Sequence, residues 1–219
     1  TNPTENTLRV NYKINIASLL VKLEDFNQAQ SEYQSILPYN IFTDEINHNL
    51  GIISIKLKDY PKAINYLKKV NYSNNKKIID LYYNFGMVYA ELNQPDSSEV
   101  YFHKALAENL RWNGRRKNVS HGLILKYRGD ELARQLKSRE AAAEYQLAII
   151  QFYNNFNDSD YYKNPEDYSG IFSYINLFNT LTAKATVLET LFKKENNITF
   201  LEASLDAYRS AFRLSAYVE

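Results

Sequence analysis

Apolar residues recur along the chain at spacings of three, four and seven: Leu50, Leu57, Ile64 and Leu67 in one stretch, Phe85, Leu92, Phe102 and Leu106 in another. That is the period of amphipathic helices, not the strict alternation of half-buried strands. Short polar turns such as Lys58-Asp59 and Asn93-Gln94 break the stripes. Pro61 and Pro95 stand in first turns of new helices, where a missing N–H costs nothing. The pattern predicts ten helices, at about 8–23, 26–37, 43–57, 60–71, 77–92, 95–112, 117–136, 139–156, 169–194 and 198–217. Six Gly and five Pro in 219 residues are too few turn-makers for a sandwich or barrel, so the expected fold is all-α.

The stripes also repeat. Leu23-Glu24-Asp25-Phe26-Asn27-Gln28-Ala29 returns 34 residues later as Leu57-Lys58-Asp59-Tyr60-Pro61-Lys62-Ala63. Asn47-His48-Asn49-Leu50-Gly51 returns 35 residues later as Tyr82-Tyr83-Asn84-Phe85-Gly86. A fourth copy, Arg128-Gly129-Asp130-Glu131-Leu132 followed by Ala141, Tyr145 and Ala148, comes after a stretched interval of 43. Gly51, Gly86 and Gly129, with Ala17 in the first copy, mark where paired helices approach most closely, opposite Ala29, Ala63, Ser98 and Ala141. A mid-helix glycine costs about 1 kcal/mol relative to Ala, so its return at equivalent places implies packing that more than offsets the cost. The stretched interval reads as about one extra turn on each of two helices, with Asn113-Gly114 between them. Residues 154–169 form the longest expected loop, in which Tyr161, Tyr162 and Tyr168 either cover a groove or close a long gap.

A period near 34, a small residue in mid-helix and then Ala-x-x-x-aromatic resembles the tetratricopeptide repeat. The third copy is cleanest: Tyr82-x-x-Phe85-Gly86-x-x-Tyr89, then Ser98-x-x-x-Phe102-x-x-Ala105. The resemblance implies a right-handed α-solenoid, a superhelix of about five antiparallel helix pairs at 8–40, 43–75, 77–112, 117–156 and 169–219. Neighbours touch only neighbours in such an array, and residues 1–219 are expected to form one domain. The C-terminal end carries a second resemblance. Leu181-x-x-Lys184-Ala185-x-x-Leu188, a lengthened connection at 193–199, the run 200–211 and the preceding Asn164-Pro165 are similar to the terminal repeats upstream of bacterial CHAT domains, caspase-like peptidase modules. This implies a bacterial protein with a downstream peptidase domain whose catalytic His and Cys lie beyond Glu219. A start at Thr1 without Met, and a last helix reaching the final residue, also read as a piece of something longer. The array is then a sensing or regulatory arm; a sensor region of a histidine kinase or helix-turn-helix regulator, or a passive assembly or spacer solenoid, are the alternatives.

Composition removes several chemistries. Lys and Arg number 26 against 25 Asp and Glu, so no net field draws nucleic acid or an anionic membrane. No apolar run approaches the ~18 residues of a membrane span, and no signal peptide opens the chain. Without Cys there is no disulfide, thiolate metal site or cysteine nucleophile, which favours a reducing compartment such as the cytoplasm. His48, His103 and His121 share no metal-binding spacing, and no glycine-rich phosphate loop occurs. The expectation is a chain that is not an enzyme and holds no cofactor or metal.

The candidate site is a ladder. Asn15, Asn49 and Asn84 each stand two residues before the small residue of a first helix. By the resemblance, first helices line a concave groove and this position points into it. A carboxamide both donates and accepts, so it suits the backbone of an extended peptide; inter-repeat hydrogen bonds are the other use. The fourth copy has Tyr127 there, where an aromatic ring suits stacking on a ligand. The same geometry puts Ile52, Tyr83, Met87, Lys126, Asp130 and Arg134 on or near the groove, with Ile14, Ser18, His48 and Lys56. A clamp for a peptide carboxylate, known in the family, is not expected, because Ile14, Ser18 and Asp80 occupy places where it needs Lys, Asn or Arg. A mixed groove of this kind fits an extended internal segment or a partner helix. Arg111, Arg115, Arg116 and Lys117 with Trp112 form a basic aromatic cluster, either a docking point for an acidic partner or a solvated turn.

Overall fold

The computed structural model describes residues 3–218, the last of them by its backbone alone, so both ends of the expected 1–219 domain and the end of the fifth pair at Glu219 lie outside the described residues. Among the described residues ten α-helices follow one another: α1 Pro3–Lys22, α2 Phe26–Ile36, α3 Thr43–Lys56, α4 Tyr60–Leu67, α5 Ile78–Glu91, α6 Pro95–Asn113, α7 Val119–Arg134, α8 Ser138–Phe152, α9 Tyr174–Glu195 and α10 Ile198–Val218. Among the described residues there is no strand; one isolated antiparallel bridge joins Tyr153 and Ile171. The chain is all-α, as its pattern predicts. Its contacts gather into two compact units, Thr1–Tyr101 and Phe102–Glu219, the division falling inside α6.

The first four helix pairs are joined by the same turn. Glu24, Lys58, Asn93 and Leu136 all adopt left-handed backbone, with φ of 60°, 59°, 55° and 60°. The next N–H reaches five residues back, Asp25 to the Leu20 carbonyl, Asp59 to Ser54, Gln94 to Tyr89 and Lys137 to Leu132, at 2.8–2.9 Å. This satisfies carbonyls that a helix end would otherwise leave bare. In the first two turns the following aspartate then caps the second helix: Asp25 accepts from the Gln28 N–H and Asp59 from the Lys62 N–H, both at 3.2 Å.

In the second and fourth pairs a glycine of the first helix meets a large side chain of the second. A Cβ on Gly51 would lie 2.5 Å from Leu67 Cδ2, and one on Gly129 would lie 2.7 Å from the Tyr145 ring. Gly122, which the repeat pattern did not single out, does the same seven residues earlier, 2.4 Å from the Phe152 ring. Where serine replaces alanine on the second helix, its hydroxyl donates across the contact: Ser98 Oγ to the Gly86 carbonyl and Ser204 Oγ to the Ala185 carbonyl, each at 2.9 Å.

Four helix boundaries differ from expectation by four residues or more, and one expected connection is shorter. α1 starts at Pro3 instead of residue 8, with proline in a first turn where its missing N–H is harmless. α4 stops at Leu67 because tighter turn bonds follow it and the Asn71 N–H is taken by Asp44 at 2.9 Å. α8 stops at Phe152, since Tyr153 is extended (φ −135°, ψ 122°) and Phe152 accepts from the Phe172 N–H at 2.8 Å, which also delays α9 to Tyr174. The lengthened connection expected at 193–199 is only Asn196-Asn197, because α9 continues to Glu195 before Asn196 turns left-handed. The stretched interval does correspond to long helices, 19 residues in α6 and 16 in α7 against 14 in α5.

Two stability predictions follow from this packing. Gly129→Ala should destabilise by about 1–3 kcal/mol through overpacking despite alanine's better helix propensity, seen as a lower Tm in thermal unfolding. Leu136→Asn should stabilise by up to about 1 kcal/mol, read as a higher Tm, because the exposed Leu136 side chain contributes little and asparagine accepts left-handed backbone more readily.

Candidate functional site

In the first unit the asparagine ladder divides. Asn15 on α1 is exposed. Asn49 on α3 is half-buried, and its amide nitrogen donates to the Tyr33 hydroxyl of α2 at 3.0 Å. Asn84 on α5 is 6% exposed, with its amide nitrogen 3.0 Å from His48 Nε2 on α3. Both engaged amides therefore reach back to the preceding helix pair. With Nε2 accepting from the amide, the His48 proton sits on Nδ1. The ring packs edge-on against Tyr72 at 5.4 Å, and burial, with Lys77 adding to it, lowers its pKa from 6.5 to about 4. Ile52 and Met87 each follow the small residue of their helix and are half-buried, as is Tyr83.

In the second unit three of the candidate residues on α7, Lys126, Tyr127 and Asp130, come together, while Arg134 pairs elsewhere. Lys126 Nζ lies 2.6 Å from Asp130 Oδ2 and 5.1 Å from the centre of the Tyr127 ring. Asp130 Oδ1 accepts from the Tyr145 hydroxyl at 2.9 Å, and Arg134 pairs with Glu131 at 2.7 Å. Burial first, and the Asp130 charge second, push the Tyr145 hydroxyl pKa up. The hydroxyl bond recurs at equivalent positions elsewhere: Tyr33 with Ser18 at 3.0 Å and Tyr208 with Thr186 at 3.2 Å.

The residues between α8 and α9 pack onto their own unit. Tyr162 stacks on Phe200 at 5.9 Å, and the buried Tyr168 hydroxyl meets Ser210. Lys184, quoted in the sequence only as part of a helical pattern, is buried, and pins this segment. Its amine donates to Gln146 Oε1 at 2.6 Å and to the Lys163 carbonyl at 2.8 Å, while Gln146 Nε2 donates to the Asp158 carbonyl at 2.7 Å. Burial lowers the Lys184 pKa from 10.5 to about 7, against Asp206, Asp160 and Asp158, which raise it. The signal in the sequence is a lysine on the stripe of Leu181, Ala185 and Leu188. The basic cluster also divides: Lys117 Nζ donates to the carbonyls of Tyr153, Asn154 and Phe156 at 2.6–2.9 Å, whereas Trp112 is exposed under the Arg111 guanidinium at 5.6 Å. Among the described residues no three His, Asp or Glu side chains gather where they could hold a metal ion, and no helix is long and apolar enough to cross a membrane.

His48 gives a pH dependence with a definite sign. Between its folded pKa of about 4 and the ordinary 6.5, the unfolded chain binds a proton that the folded chain does not. Stability should therefore fall as pH drops from 6.5 towards 4, and thermal unfolding of His48→Gln should show a shallower loss across that window. Lys184 acts likewise at higher pH. The unfolded chain holds the extra proton between about 7 and 10.5, so stability should rise with pH in that range, less so in Lys184→Met.

Residues 44–77 and 79–109 match the family model described as tetratricopeptide repeat, the stretches occupied by α3 with α4 and by α5 with most of α6. No curated protein matches the chain significantly. Among solved structures, the crystal structure of BtubC (BKLC) from P. vanneervenii is similar with a TM-score of 0.72 at 16% identity, covering 99% of this chain and 90% of that one. The crystal structure of MamA protein is similar with a TM-score of 0.60 at 13% identity, covering 94% of each. At these identities the likeness is one of fold. The chain thus carries tetratricopeptide repeats at its second and third helix pairs, within an all-α fold of the kind seen in those structures.

Proposed function

We propose that the chain is a non-catalytic scaffold that holds an extended segment or a helix of a partner protein against the open faces of α3 and α5. The observation that carries this reading is the equivalence of Ile52 and Met87. Each follows the close-contact glycine of its helix and is half-buried, in the two repeats that the family model matches, so the same apolar contact is presented twice, one repeat apart, with Tyr83 beside it. Repeats of this kind expose long binding surfaces built from such recurring positions. Asn49 and Asn84 belong to this site as the residues that hold α3 and α5 in register. Lys126, Tyr127, Asp130 and Arg134 offer α7 as a charged contact in the second unit. A chain without cysteine suits a reducing compartment such as the cytoplasm.

A second reading, a regulatory arm ahead of a CHAT-type peptidase, is favoured by one observation. The two segments that resemble such terminal repeats touch each other, through Asn164 Nδ2 to Asp206 at 2.7 Å and Ser210 Oγ to the Pro165 carbonyl at 3.0 Å. In a longer protein of that kind, a saturating partner should change the peptidase rate; an unchanged rate removes this reading.

The scaffold is tested by placing a photocrosslinking amino acid at Ile52 or Met87, and at the exposed Asn65 of α4 as control. One partner should be captured from the first two positions and not from the third. Its affinity should fall at least about tenfold, or ~1.4 kcal/mol, in Ile52→Glu with Met87→Glu, the helical circular dichroism being retained. Equal capture from all three positions overturns the site.

A further inference from the structure

The first and last helices both leave apolar stripes in water, and the repeat register shows what those stripes are. On α1, Tyr12 is 67% exposed and Leu19 57%. Moving 34 residues along the chain turns them into Ile46 and Ile53 of α3, and a further 35 into Leu81 and Val88 of α5, all four buried. In α3 these residues pack with Tyr33 and Ile36 of α2, the second helix of the preceding pair. The exposed side of α1 is therefore the half of an inter-pair contact that docks on a preceding second helix.

The exposed side of α10 is the other half. Two hydrogen bonds set its register: Ser204 to the Ala185 carbonyl repeats Ser98 to Gly86, and Tyr208 to Thr186 repeats Tyr33 to Ser18 and Tyr145 to Asp130. Leu205, Tyr208 and Phe212 then correspond to Ala142, Tyr145 and Ile149 of α8, which are fully or almost fully buried. On α10 Phe212 is 73% exposed, and with Leu205, Tyr208, Arg209 and Arg213 it lines a groove of about 430 Å³.

We propose that a second copy of this chain docks its α1 on the outer face of α10, head to tail. The copy is the occupant because the chain carries both halves of one contact, in the register its own pairs use. One polar detail comes with it. Asn49 donates to Tyr33 across the contact between successive pairs; Asn15 stands at the position of Asn49 and Tyr208 at that of Tyr33, so a second copy's Asn15 meets Tyr208. A contact between two different surfaces leaves one of each free after every addition, so association does not stop at the dimer unless a ring closes.

Sedimentation velocity on the chain tests this. The wild type should associate beyond the dimer as its concentration rises to about 100 μM, a range that detects a Kd of that order. Tyr12→Glu with Leu19→Glu, and separately Tyr208→Glu with Phe212→Glu, should each be monomeric with unchanged helical circular dichroism. Mixed one to one, the two variants should form heterodimers and nothing larger, because each retains the half that the other lost. Tyr208→Phe and Asn15→Ala should weaken wild-type association to a similar degree. A wild type that stays monomeric throughout, including one that associates only with another protein, overturns the proposal. So does a mixture that stays monomeric, or a variant that still dimerises with itself.

Discussion

The architecture depends on one steric constraint, the approach of two helices close enough that only a small side chain fits on one of them. Gly51 faces Leu67, Gly129 faces Tyr145 and Gly122 faces Phe152, each with no room for a further carbon. The large partner fills the space the glycine vacates, which fixes the second helix in both height and rotation. On α7 and α8 this happens twice, two turns apart, with glycines and rings paired in antiparallel order. Serine at the same contact adds a hydroxyl bond to a carbonyl of the first helix, as at Ser98 and Ser204, so the backbone itself is recruited to hold the pair.

Around that contact a second layer of polar bonds sets how one pair meets the next. The tyrosine of the second helix ties back to its own first helix, as Tyr33 does to Ser18, and accepts from the next pair through Asn49. Asn84 and His48 serve the same purpose one repeat later, with a buried and neutral imidazole as the acceptor. Such bonds are individually modest, but leaving a buried partner unmatched costs more than the bond contributes. They define register more than they add stability. Lys184 and Lys117 extend this logic to the second unit, where two amines hold the carbonyls of a segment with little helical hydrogen bonding of its own.

The framework leaves two kinds of apolar surface uncovered. The helices α3 and α5 present half-buried apolar residues in repeat register, while α1 and α10 leave exposed ones. The two surfaces differ in kind. Ile52 and Met87 each follow the close-contact glycine of their helix and are half-buried, which suits the proposed contact with a foreign chain. Tyr12, Leu19, Tyr208 and Phe212 hold positions that are buried elsewhere in the same molecule, which suits another repeat.

Helix type, helix number and the order of the pairs were legible in the amino-acid sequence, because amphipathic period, turn residues and returning glycines are local properties written at a fixed interval. The repeat was legible for the same reason: a residue needed at one close contact is needed again at every equivalent one. Helix ends at Leu67 and Phe152 were not, since Asp44, Lys117 and Phe172, all distant along the chain, terminate them. Nor were the partners of the candidate residues. An asparagine two positions before a glycine can turn to a ligand or to the preceding pair, and only the arrival of Tyr33 and His48 in space occupies Asn49 and Asn84. The sequence alone determined which helices form and which of their faces are apolar. The tertiary structure decided which polar groups are already satisfied and which apolar positions remain in water, because those depend on neighbours brought close by packing and not by the chain.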